Sequence, residues 1–411
     1  MEAQELPLKD PKLAIDGGDP IRATPLPTWP EFDPDTVAAV GEVLRSGRVN
    51  YWTGHRGRLF EQEFAAWCGT RHAVALANGS VAIELALKAI DLQPGDEVIT
   101  TCRSFMASAS SVVLCGGRVV FADVDPVSQN ITAATVAPLV TARTRAIIAV
   151  HHAGWPCDMD PLLALAARHD LVVIEDCAQA HGARDKGRPV GGIGHIGCWS
   201  FCQDKIMTTG GEGGMLTTDD EAVWQRAWSY KDHGKNYDKV FAPDPEPGFR
   251  WLHDSFGTNW RLTEMQAVIG RLQLGRMDAW HARRAANAAA LIAGLADVPG
   301  IHVPAVPAGV EHAWYKFYAF VEPAALSAGW DRDRIKAAIR AEGVHCDTGS
   351  CPEMYREEAF AGTGMRPAAR LPVAVDLGRR SLFFPVHPTL DDADMQDVVA
   401  AVRKVMAAAT G

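Results

Sequence analysis

The sequence predicts an α/β fold, in which a large domain built on a mostly parallel sheet is followed by a smaller α/β domain. Three observations predict it. Short apolar runs alternate with helical patterns over residues 73–174, as they do in repeated βαβ units. The length of 411 residues exceeds that of one ordinary domain. After a Pro-Gly pair at residues 299–300, a shorter α/β pattern begins.

The spacing of the apolar residues predicts the individual elements. A first helix carries Phe60, Phe64 and Trp67 on one face and ends at Gly69. The strands predicted for the large domain are 73–77, 97–101, 118–124, 146–150, 171–174, 198–201 and 215–218. The helices predicted with them are 81–89, 104–114 and 159–168. In the small domain, the predicted elements are a strand over 315–321, a helix over 332–341 and a last amphipathic helix from about 391.

One long helical pattern marks the predicted domain boundary. It runs from about Leu262 past Trp280, and we place the domain change inside it, near Arg276. The prediction is therefore an N-terminal arm and large domain over 1–275 and a small domain over 276–411. The first thirty or so residues are rich in proline and glycine, which predicts the arm.

Composition excludes several classes of protein. The 40 basic and 50 acidic residues give a net charge of −10, so no general electrostatic attraction to nucleic acid is expected. The first ten residues are charged and lack the apolar core of a signal peptide, and no stretch is long enough to span a membrane. Nine scattered cysteines include no CxxC pair, which predicts reduced thiols in the cytoplasm, without a disulfide framework or structural zinc.

The first candidate site is the Asn78-Gly79-Ser80 turn between a predicted strand and a predicted helix. A helix N-terminus after a glycine turn offers free N–H groups and the positive end of the helix dipole, which suits a phosphate. The alternative is an ordinary helix cap.

The second candidate is Asp176, at the carboxyl end of a buried strand, with Gln179 shortly after it. Ligands bind at that edge of open α/β sheets, and a carboxylate there can pair with a protonated ring nitrogen. The alternative is an aspartate that caps the next helix.

The third candidate is Lys205, which lies between a predicted buried strand and a glycine-rich turn. A lysine withdrawn from solvent is a candidate Schiff-base nucleophile, whereas a lone lysine is otherwise a surface residue.

Two other patterns carry no chemistry in our interpretation. Residues 192–197 match GxGxxG, but a turn precedes them and a strand pattern follows, which excludes the dinucleotide-binding fingerprint of a dehydrogenase. Adjacent His151 and His152 would face opposite sides of a strand, and no acidic or cysteine partner stands at ligand spacing, so we expect no metal site.

Together, the phosphate turn, the acid and the lysine form the set that a pyridoxal phosphate site requires. The sequence resembles the DegT/DnrJ/EryC1/StrS family of pyridoxal phosphate-dependent sugar aminotransferases. The resemblance covers nearly the whole chain. Its motifs are NGS at 78–80, EDCAQAHGA at 175–183, SFCQDK at 200–205, GEGG at 211–214, GTNWRL at 257–262 and FPVHP at 384–388. It implies the aspartate aminotransferase type of fold, with a seven-stranded sheet, and a homodimer with active sites at the subunit interface.

The resemblance also implies roles for residues around the ring of the cofactor. Lys205 would bond the cofactor as a Schiff base and move the proton, and Asp176 would pair with the ring nitrogen. Gln179 would hydrogen-bond near the ring hydroxyl. Phe105 would stack on the ring, and His181 would lie beside it.

A second group of residues would hold the cofactor phosphate. Gly79, Ser80 and the Val81 amide form the turn, and Ser200 lies with them in the family pattern. Asn259 matches an asparagine that the other subunit contributes to the same phosphate.

The implied activity is transfer of an amino group from glutamate or glutamine to a keto-sugar, most simply a nucleotide-linked keto-hexose. Family dehydratases have histidine in place of the lysine, so Lys205 favours transamination. A keto-cyclitol of the scyllo-inosose type is the alternative acceptor, since related cyclitol enzymes also carry glutamine in the segment of Gln203. A non-catalytic sensor of the cofactor or of a sugar is a third possibility, which Lys205, Asp176 and Gln179 together disfavour.

Overall fold

A seven-stranded sheet forms the centre of the large domain in the computed structural model, which describes residues 12–243 and 248–411. The strands of the chain are β1 (His72–Leu76), β2 (Glu97–Thr101), β3 (Arg118–Ala122), β4 (Thr144–Val150), β5 (Val172–Asp176), β6 (Arg184–Asp185), β7 (Arg188–Pro189), β8 (Ile196–Ser200), β9 (Gly214–Thr218), β10 (Ile301–His302), β11 (Val310–Glu311), β12 (Phe317–Val321) and β13 (Ser381–Phe384). The large sheet has the order β1-β9-β8-β5-β4-β2-β3. Only β9 runs antiparallel to its neighbours, so the predicted α/β fold with a mostly parallel sheet is confirmed.

Helices cover this sheet and build the smaller domain. They are α1 (Pro34–Ser46), α2 (Arg56–Cys68), α3 (Gly79–Ala89), α4 (Ala107–Leu114), α5 (Ala133–Val136), α6 (Met159–Arg168), α7 (Glu221–Lys231), α8 (Tyr237–Val240), α9 (Glu264–Leu274), α10 (Met277–Leu295), α11 (Arg332–Ala341), α12 (Pro372–Arg380) and α13 (Asp392–Thr410). Within the described residues, no helix is both long enough and apolar enough to cross a membrane.

The predicted N-terminal arm is described only in part. The expectation that residues 1–10 carry no signal peptide lies outside the described residues. From residue 12 to Asp33 the chain contains one short 3₁₀ turn, Ala14–Asp16, and no helix or strand. Asp33 then ends the arm by capping α1, because its carboxylate accepts the N–H of Thr36 at 2.8 Å.

The long helical pattern after residue 262 is two helices, so the prediction of a continuous helix is wrong. Helix α9 ends at Leu274 and α10 begins at Met277, with Gly275 and Arg276 between them. The N–H of Gly275 bonds back to the carbonyls of the last turn of α9, at Arg271 and Gln273. The apolar spacing continues across this break, which is why periodicity alone does not reveal it.

A second hydrophobic core lies beyond this break. It is built by α10, α11 and α13 with β12 and β13, and Leu13 of the arm joins it. By contrast, Met354, Tyr355 and Phe360 pack into the core of the large sheet. We propose the division at residue 276 on the basis of the second core, with the segment around Tyr355 returning to the large domain.

Helix α4 begins later than predicted, at Ala107 instead of residue 104. The backbone of Ser104 pairs with Cys351 in an isolated antiparallel bridge, which holds it out of the helix. This displacement concerns the site, because it leaves Phe105 on a loop at the edge of the sheet.

Candidate active site

Three of the predicted site residues meet at one edge of the large sheet. Asp176 is the last residue of β5 and Ser200 the last residue of β8, and these two strands are parallel neighbours. Gly79 begins α3 directly after β1 and lies against Ser200. Carboxyl ends of parallel strands are where ligands bind in open α/β sheets.

The turn at Gly79 is packed so closely that only glycine fits. A Cβ atom at this position would lie 2.5 Å from Cβ of Ser200. Asn78 caps α3, since its side-chain oxygen accepts the N–H of Val81 at 3.0 Å. The N–H groups of Gly79 and Ser80 have no acceptor within the helix, so they are the free donors of this turn. The Val81 amide, predicted as a phosphate ligand, is already engaged by the cap.

We expect Gly79→Ala to weaken the retention of an anion at this turn. The added methyl group must displace Ser200 or the start of α3, and overpacking of this kind costs about 1–3 kcal/mol. Cofactor affinity, measured by equilibrium dialysis, should fall by about 10-fold or more. Gly41→Ala is the matched control, because Gly41 lies inside α1 and meets only the flexible end of Arg45. Equal affinities in the two variants would contradict the close packing at Gly79.

Asp176 is a buried carboxylate whose hydrogen-bond partners in the described part of the chain are neutral. Its Oδ2 accepts the hydroxyl of Ser108 at 2.7 Å, and its Oδ1 accepts the N–H of Ala178 at 3.1 Å. Burial raises the pKa of Asp176, while these two hydrogen bonds and the charge of Lys205 oppose the rise. Among the described residues it forms no ion pair. A protonated ring nitrogen would supply the missing positive charge.

Gln179 is fixed in a way that leaves its amide nitrogen free. Its Oε1 accepts the N–H of Ala153 at 2.8 Å, and the side chain is buried. Since the carbonyl end of the amide is occupied, the NH₂ end remains available to donate to an oxygen atom of a ligand.

Lys205 lies on the irregular segment after β8, with its side chain largely withdrawn from solvent. Its Nζ is 3.1 Å from Oδ1 of Asp204 and 3.3 Å from the hydroxyl oxygen of Tyr315. The Tyr315 hydroxyl also donates to Asp204. Burial would raise the pKa of Asp204, but the charge of Lys205 and the Tyr315 hydrogen bond outweigh it and lower that pKa. Asp204 therefore stays ionised beside the lysine.

Sequence reasoning did not identify Tyr315, Ser108 or Trp29 as members of this site. The indole N–H of Trp29 donates to the backbone carbonyl of Lys205 at 2.7 Å. All three approach from distant parts of the chain, and no motif in the sequence marks them.

His181 is enclosed by aromatic rings. Its ring centroid lies 5.3 Å from that of Trp199 and 5.7 Å from that of Phe201. Neither ring nitrogen makes a well-formed hydrogen bond to any described residue. Burial, followed by the charges of Lys205, His281 and Arg284, lowers the pKa of His181 to about 3, so the imidazole is neutral.

Phe105 and Asn259 are both exposed. The Phe105 side chain is 71% exposed and stacks on no other ring within the described residues. The Oδ1 of Asn259 accepts the N–H of Arg261 at 3.3 Å. The segment of Asn259 runs beside the end of β1, where the carbonyl of Trp260 accepts the N–H of Ala77 at 2.9 Å.

Glu175 faces away from this site and has a structural role. Its carboxylate accepts the N–H groups of Gly191, Ile193 and Gly194, and Nε2 of His151, at 2.6–2.9 Å. The GxGxxG stretch is thus a loop folded around a buried carboxylate. The predicted strand pattern is β8, which begins at Ile196, within the last two residues of the stretch.

His151, Glu175 and Cys177 come close enough for their ligand atoms to share a metal ion, although the sequence spacing suggested no such partners. Nδ1 of His151 accepts the N–H of Cys157 at 3.0 Å, and its Nε2 faces Glu175. Both nitrogens and the carboxylate are therefore used in hydrogen bonds between protein groups.

The free groups at the sheet edge fit pyridoxal phosphate. The turn at Gly79 and Ser80 offers N–H groups to an anion, and buried Asp176 forms no ion pair with any residue that the structure describes. Gln179 offers an amide N–H, and Lys205 offers a primary amine. These are complements to a phosphate, a protonated pyridine nitrogen, a ring oxygen and an aldehyde.

Comparison with known proteins agrees with this fit. Residues 30–403 match the model of the DegT/DnrJ/EryC1/StrS aminotransferase family. The chain is 35% identical over 381 residues to dTDP-3-amino-3,4,6-trideoxy-alpha-D-glucose transaminase of Streptomyces venezuelae, covering 92% of this chain and 93% of the relative. It is 34% identical over 421 residues to L-glutamine:2-deoxy-scyllo-inosose aminotransferase of Streptoalloteichus tenebrarius, covering 96% and 97%.

A solved structure is more similar still. The X-ray structure of the aminotransferase from Psychrobacter cryohalolentis superposes with a TM-score of 0.93 at 52% sequence identity, covering 94% of this chain and 100% of that one. The match in fold, the match in sequence over most of the chain and the donor set at the sheet edge agree. This chain belongs to the DegT/DnrJ/EryC1/StrS aminotransferase family and is a pyridoxal phosphate-dependent sugar aminotransferase.

Proposed function

We propose that this aminotransferase moves the amino group of glutamate or glutamine to a nucleotide-linked keto-hexose. The observation that carries the amino-transfer part of the proposal is the buried Asp176 carboxylate, which forms no ion pair with any described residue and lies at the same sheet edge as Lys205. The relative from Streptomyces venezuelae, named for a dTDP-linked amino sugar, supports the nucleotide link.

We propose that two groups of residues bind the cofactor. The phosphate is bound by Gly79, Ser80, Val81 and Ser200, with the cap at Asn78 sharing the Val81 amide. The ring is held by Asp176, Gln179, His181 and Phe105. When bound, the cofactor supplies an electron sink for the charge that remains after a donor loses its α-proton.

Lys205 is the group we propose to move that proton. As a free amine, Nζ accepts the proton from the α-carbon of the donor, and as an ammonium group it returns the proton on the other side of the reaction. Asp204 and the hydroxyl of Tyr315 lie within hydrogen-bond reach of Nζ and fix its position. Neutral His181 and the buried wall around it exclude water from this step.

We further propose a homodimer in which Asn259 completes the phosphate site of the partner subunit. Its exposed side chain supports this role. A ligand held by both subunits binds the dimer preferentially, so cofactor should stabilise the dimer.

Mixed dimers test this sharing of the site. We expect Lys205→Ala and Asn259→Asp each to be inactive, because the second places a negative charge beside the phosphate. After subunit exchange, a hybrid holds one site with intact Lys205 and an intact Asn259 from the neighbour, so activity should partly return. Mass photometry or native mass spectrometry confirms that hybrids form. If hybrids form but show no activity, Asn259 acts within its own subunit, beside the end of β1. A monomer with full activity would contradict the proposed dimer.

Phe105→Ala tests the stacking role. Because stacking contributes about 1 kcal/mol, cofactor affinity should fall about fivefold while the rate with saturating cofactor changes little. Affinity is measured by dialysis and fluorescence. An unchanged affinity would remove Phe105 from the site.

A panel of acceptors decides the substrate. Purified protein loaded with cofactor is incubated with glutamate or glutamine and with keto-sugar nucleotides or keto-cyclitols, and products are identified by mass spectrometry. Amination of a keto-sugar nucleotide supports the proposal. Amination of a scyllo-inosose alone would instead support the cyclitol reaction, which the similarity to the Streptoalloteichus enzyme favours. No transfer with any pair would support a sensor.

We also propose that the protein works in the cytoplasm. All nine cysteines are free thiols, and most of them are buried, in keeping with a reducing compartment.

A further inference from the structure

A second lysine lies beside Lys205. The ammonium groups of Lys205 and Lys316 stand 5.2 Å and 5.0 Å from the centroid of the same ring, that of Tyr315. Lys205 is paired with Asp204, whereas the ammonium group of Lys316 forms no ion pair or hydrogen bond within the described parts of the chain. It rests instead against the rings of Tyr315 and Phe383. The ammonium group of Lys316 is therefore near Lys205 and feels the charges of Asp204 and Asp347, but it makes no direct ion pair with any described carboxylate.

Two further basic side chains behind Lys316, His152 and Arg103, have nitrogen atoms without hydrogen-bond partners among the described residues. His152 is fully buried, and neither of its ring nitrogens has a hydrogen-bond partner among the described residues. Arg103 is fully buried too, and its two terminal nitrogens have no acceptor there. Both lie against Tyr318, His152 at 5.4 Å between ring centroids and Arg103 at 5.7 Å. Unpaired buried polar groups of this kind are costly, which points to a missing anion.

A cavity of about 20 Å³ lies between Lys316 and His152. His152, Lys316 and Tyr318 line it together with Gln129, and none of the described residues that line it is acidic. The Nε of Arg103 donates to Oε1 of Gln129 at 2.9 Å, which turns the amide so that its NH₂ group is free to donate.

The cavity adjoins the cofactor site on the side of Gln179. Ala153 lines the cavity and donates its N–H to Oε1 of Gln179. An anion in this place would thus lie between the ring hydroxyl side of the cofactor and the second lysine.

We propose that Lys316, with His152 and Gln129 behind it, binds the α-carboxylate of the amino donor, and that Arg103 positions Gln129. The inference rests on the proposed function, in which an amino acid is the donor. The α-carboxylate is two bonds from the amino nitrogen, so it must lie within a few ångströms of Lys205. The diphosphate of a nucleotide sugar is separated from the reacting carbon by several ring bonds and belongs farther away. Asp204 and Asp347 act on Lys316 through their charges, but Asp204 accepts its hydrogen bonds from Lys205 and Tyr315 and not from Lys316.

The test compares two donors that differ only at the α-carboxyl group. L-Glutamate and its α-amide, L-isoglutamine, are each mixed with the holoenzyme, and the first half-reaction is followed by the loss of the visible absorbance of the cofactor. If glutamine is the better donor, L-glutamine and L-glutaminamide replace them. We expect the wild-type protein to prefer the acid, and Lys316→Met to reduce the ratio of kcat/KM values about 10- to 100-fold, the value of a charge-assisted hydrogen bond. Lys316→Arg should keep most of the preference.

A binding measurement accompanies the kinetics. Glutarate has no amino group and cannot react, so its affinity for the holoenzyme is measured by calorimetry. We expect Lys316→Met to weaken glutarate binding about 10-fold. Lys186→Met is the matched control, because Lys186 is an exposed lysine paired with Asp158 and Asp160 away from the cavity. It should leave both readouts unchanged.

Each other outcome has a definite meaning. An unchanged acid-to-amide ratio in a Lys316→Met protein that still melts cooperatively and performs the half-reaction would overturn the assignment. A defect confined to the second half-reaction, with the keto-sugar, would place the anion on the sugar and overturn it as well. If wild-type protein performs no half-reaction with any amino acid, the proposed function itself fails, which is a different result.

Discussion

Lys205→Ala is expected to abolish turnover and to remove the visible absorbance of cofactor bound to lysine. Without the amine, the protein loses both the covalent attachment of the cofactor and the base that moves the α-proton, and a positioned acid–base group alone contributes 10²- to 10⁴-fold. We therefore expect kcat to fall by at least about 10³-fold. Absorbance spectra of purified protein and a coupled transaminase assay measure the two effects.

Two further variants sharpen this experiment. Lys205→Arg keeps the positive charge beside Asp204 but cannot form the bond to the cofactor, so it should lose activity as Lys205→Ala does while retaining the ion pair. Lys316 lies over the same tyrosine ring, so any residual absorbance is checked in Lys205→Ala combined with Lys316→Met. Near-normal activity with an unchanged spectrum in Lys205→Ala would refute the assignment of the lysine.

The sequence predicted the elements best where local signals and tertiary packing agree. The bounds predicted for β2, α6 and α11 are those observed, since apolar spacing marks each of them and an aspartate caps α11. The order of the strands and the antiparallel direction of β9 are not local properties. They depend on which strands pair, and only the family resemblance implied the seven-stranded sheet.

The errors have the same origin. The apolar pattern passes through Gly275 and Arg276 without interruption, although hydrogen bonds of the last turn end α9 there. Ser104 has a helical neighbourhood in the sequence but is held by Cys351, far along the chain. In both places contacts made by the backbone decide the boundary, and the side-chain pattern does not record them.

The sequence predicted which residues form the candidate site, but not which other side chains surround them. Motifs identified Gly79, Asp176 and Lys205. The structure brings the first two to one edge of the sheet with Ser200, and Lys205 follows β8 there, close enough for its charge to act on Asp176. Tyr315 and Lys316 lie just before β12, in a stretch that no motif marks. Their relevance arises only from the approach of that segment to Lys205. The exposed positions of Phe105 and Asn259 leave their roles as proposals.

Glu175 and Asp176 show how adjacent acids take opposite roles. Successive side chains of a strand point to opposite faces, so the two carboxylates enter different surroundings. Hydrogen bonds from His151 and from the loop at 191–194 offset the burial of Glu175 and lower its pKa. Asp176 has fewer donors, and burial raises its pKa. Hydrogen bonds within the protein satisfy the Glu175 carboxylate, whereas Asp176 forms no ion pair with any described residue.

This contrast sets the expected result for Asp176→Asn. The variant should still bind the cofactor, because the phosphate turn is unchanged. The ring nitrogen of the cofactor, however, would lose the charged partner that keeps it protonated. We expect kcat to fall by about 10²-fold or more, as when a strong electrostatic stabiliser of a transition state is removed. Because burial raises the pKa of Asp176, this carboxyl group reduces the stability of the folded chain as pH rises above the pKa that the group has in the unfolded chain. Cofactor-free Asp176→Asn should therefore be at least as stable as the wild type at pH 7.

Glu175→Gln is the matched comparison on the neighbouring residue. It should lose about 1–3 kcal/mol of unfolding free energy, because the buried side chain can no longer accept all of the N–H hydrogen bonds that the carboxylate accepts. The protein that remains folded should keep the transamination rate of the wild type. Thermal unfolding of the cofactor-free proteins and single-turnover kinetics of the loaded ones separate the two variants. Unchanged kinetics in Asp176→Asn would move the partner of the ring nitrogen elsewhere. If cofactor-free Asp176→Asn loses as much unfolding free energy as Glu175→Gln, Asp176 has a structural role. Its carboxylate would then be stabilised by Ser108 and Ala178 alone, without a charge partner on the cofactor.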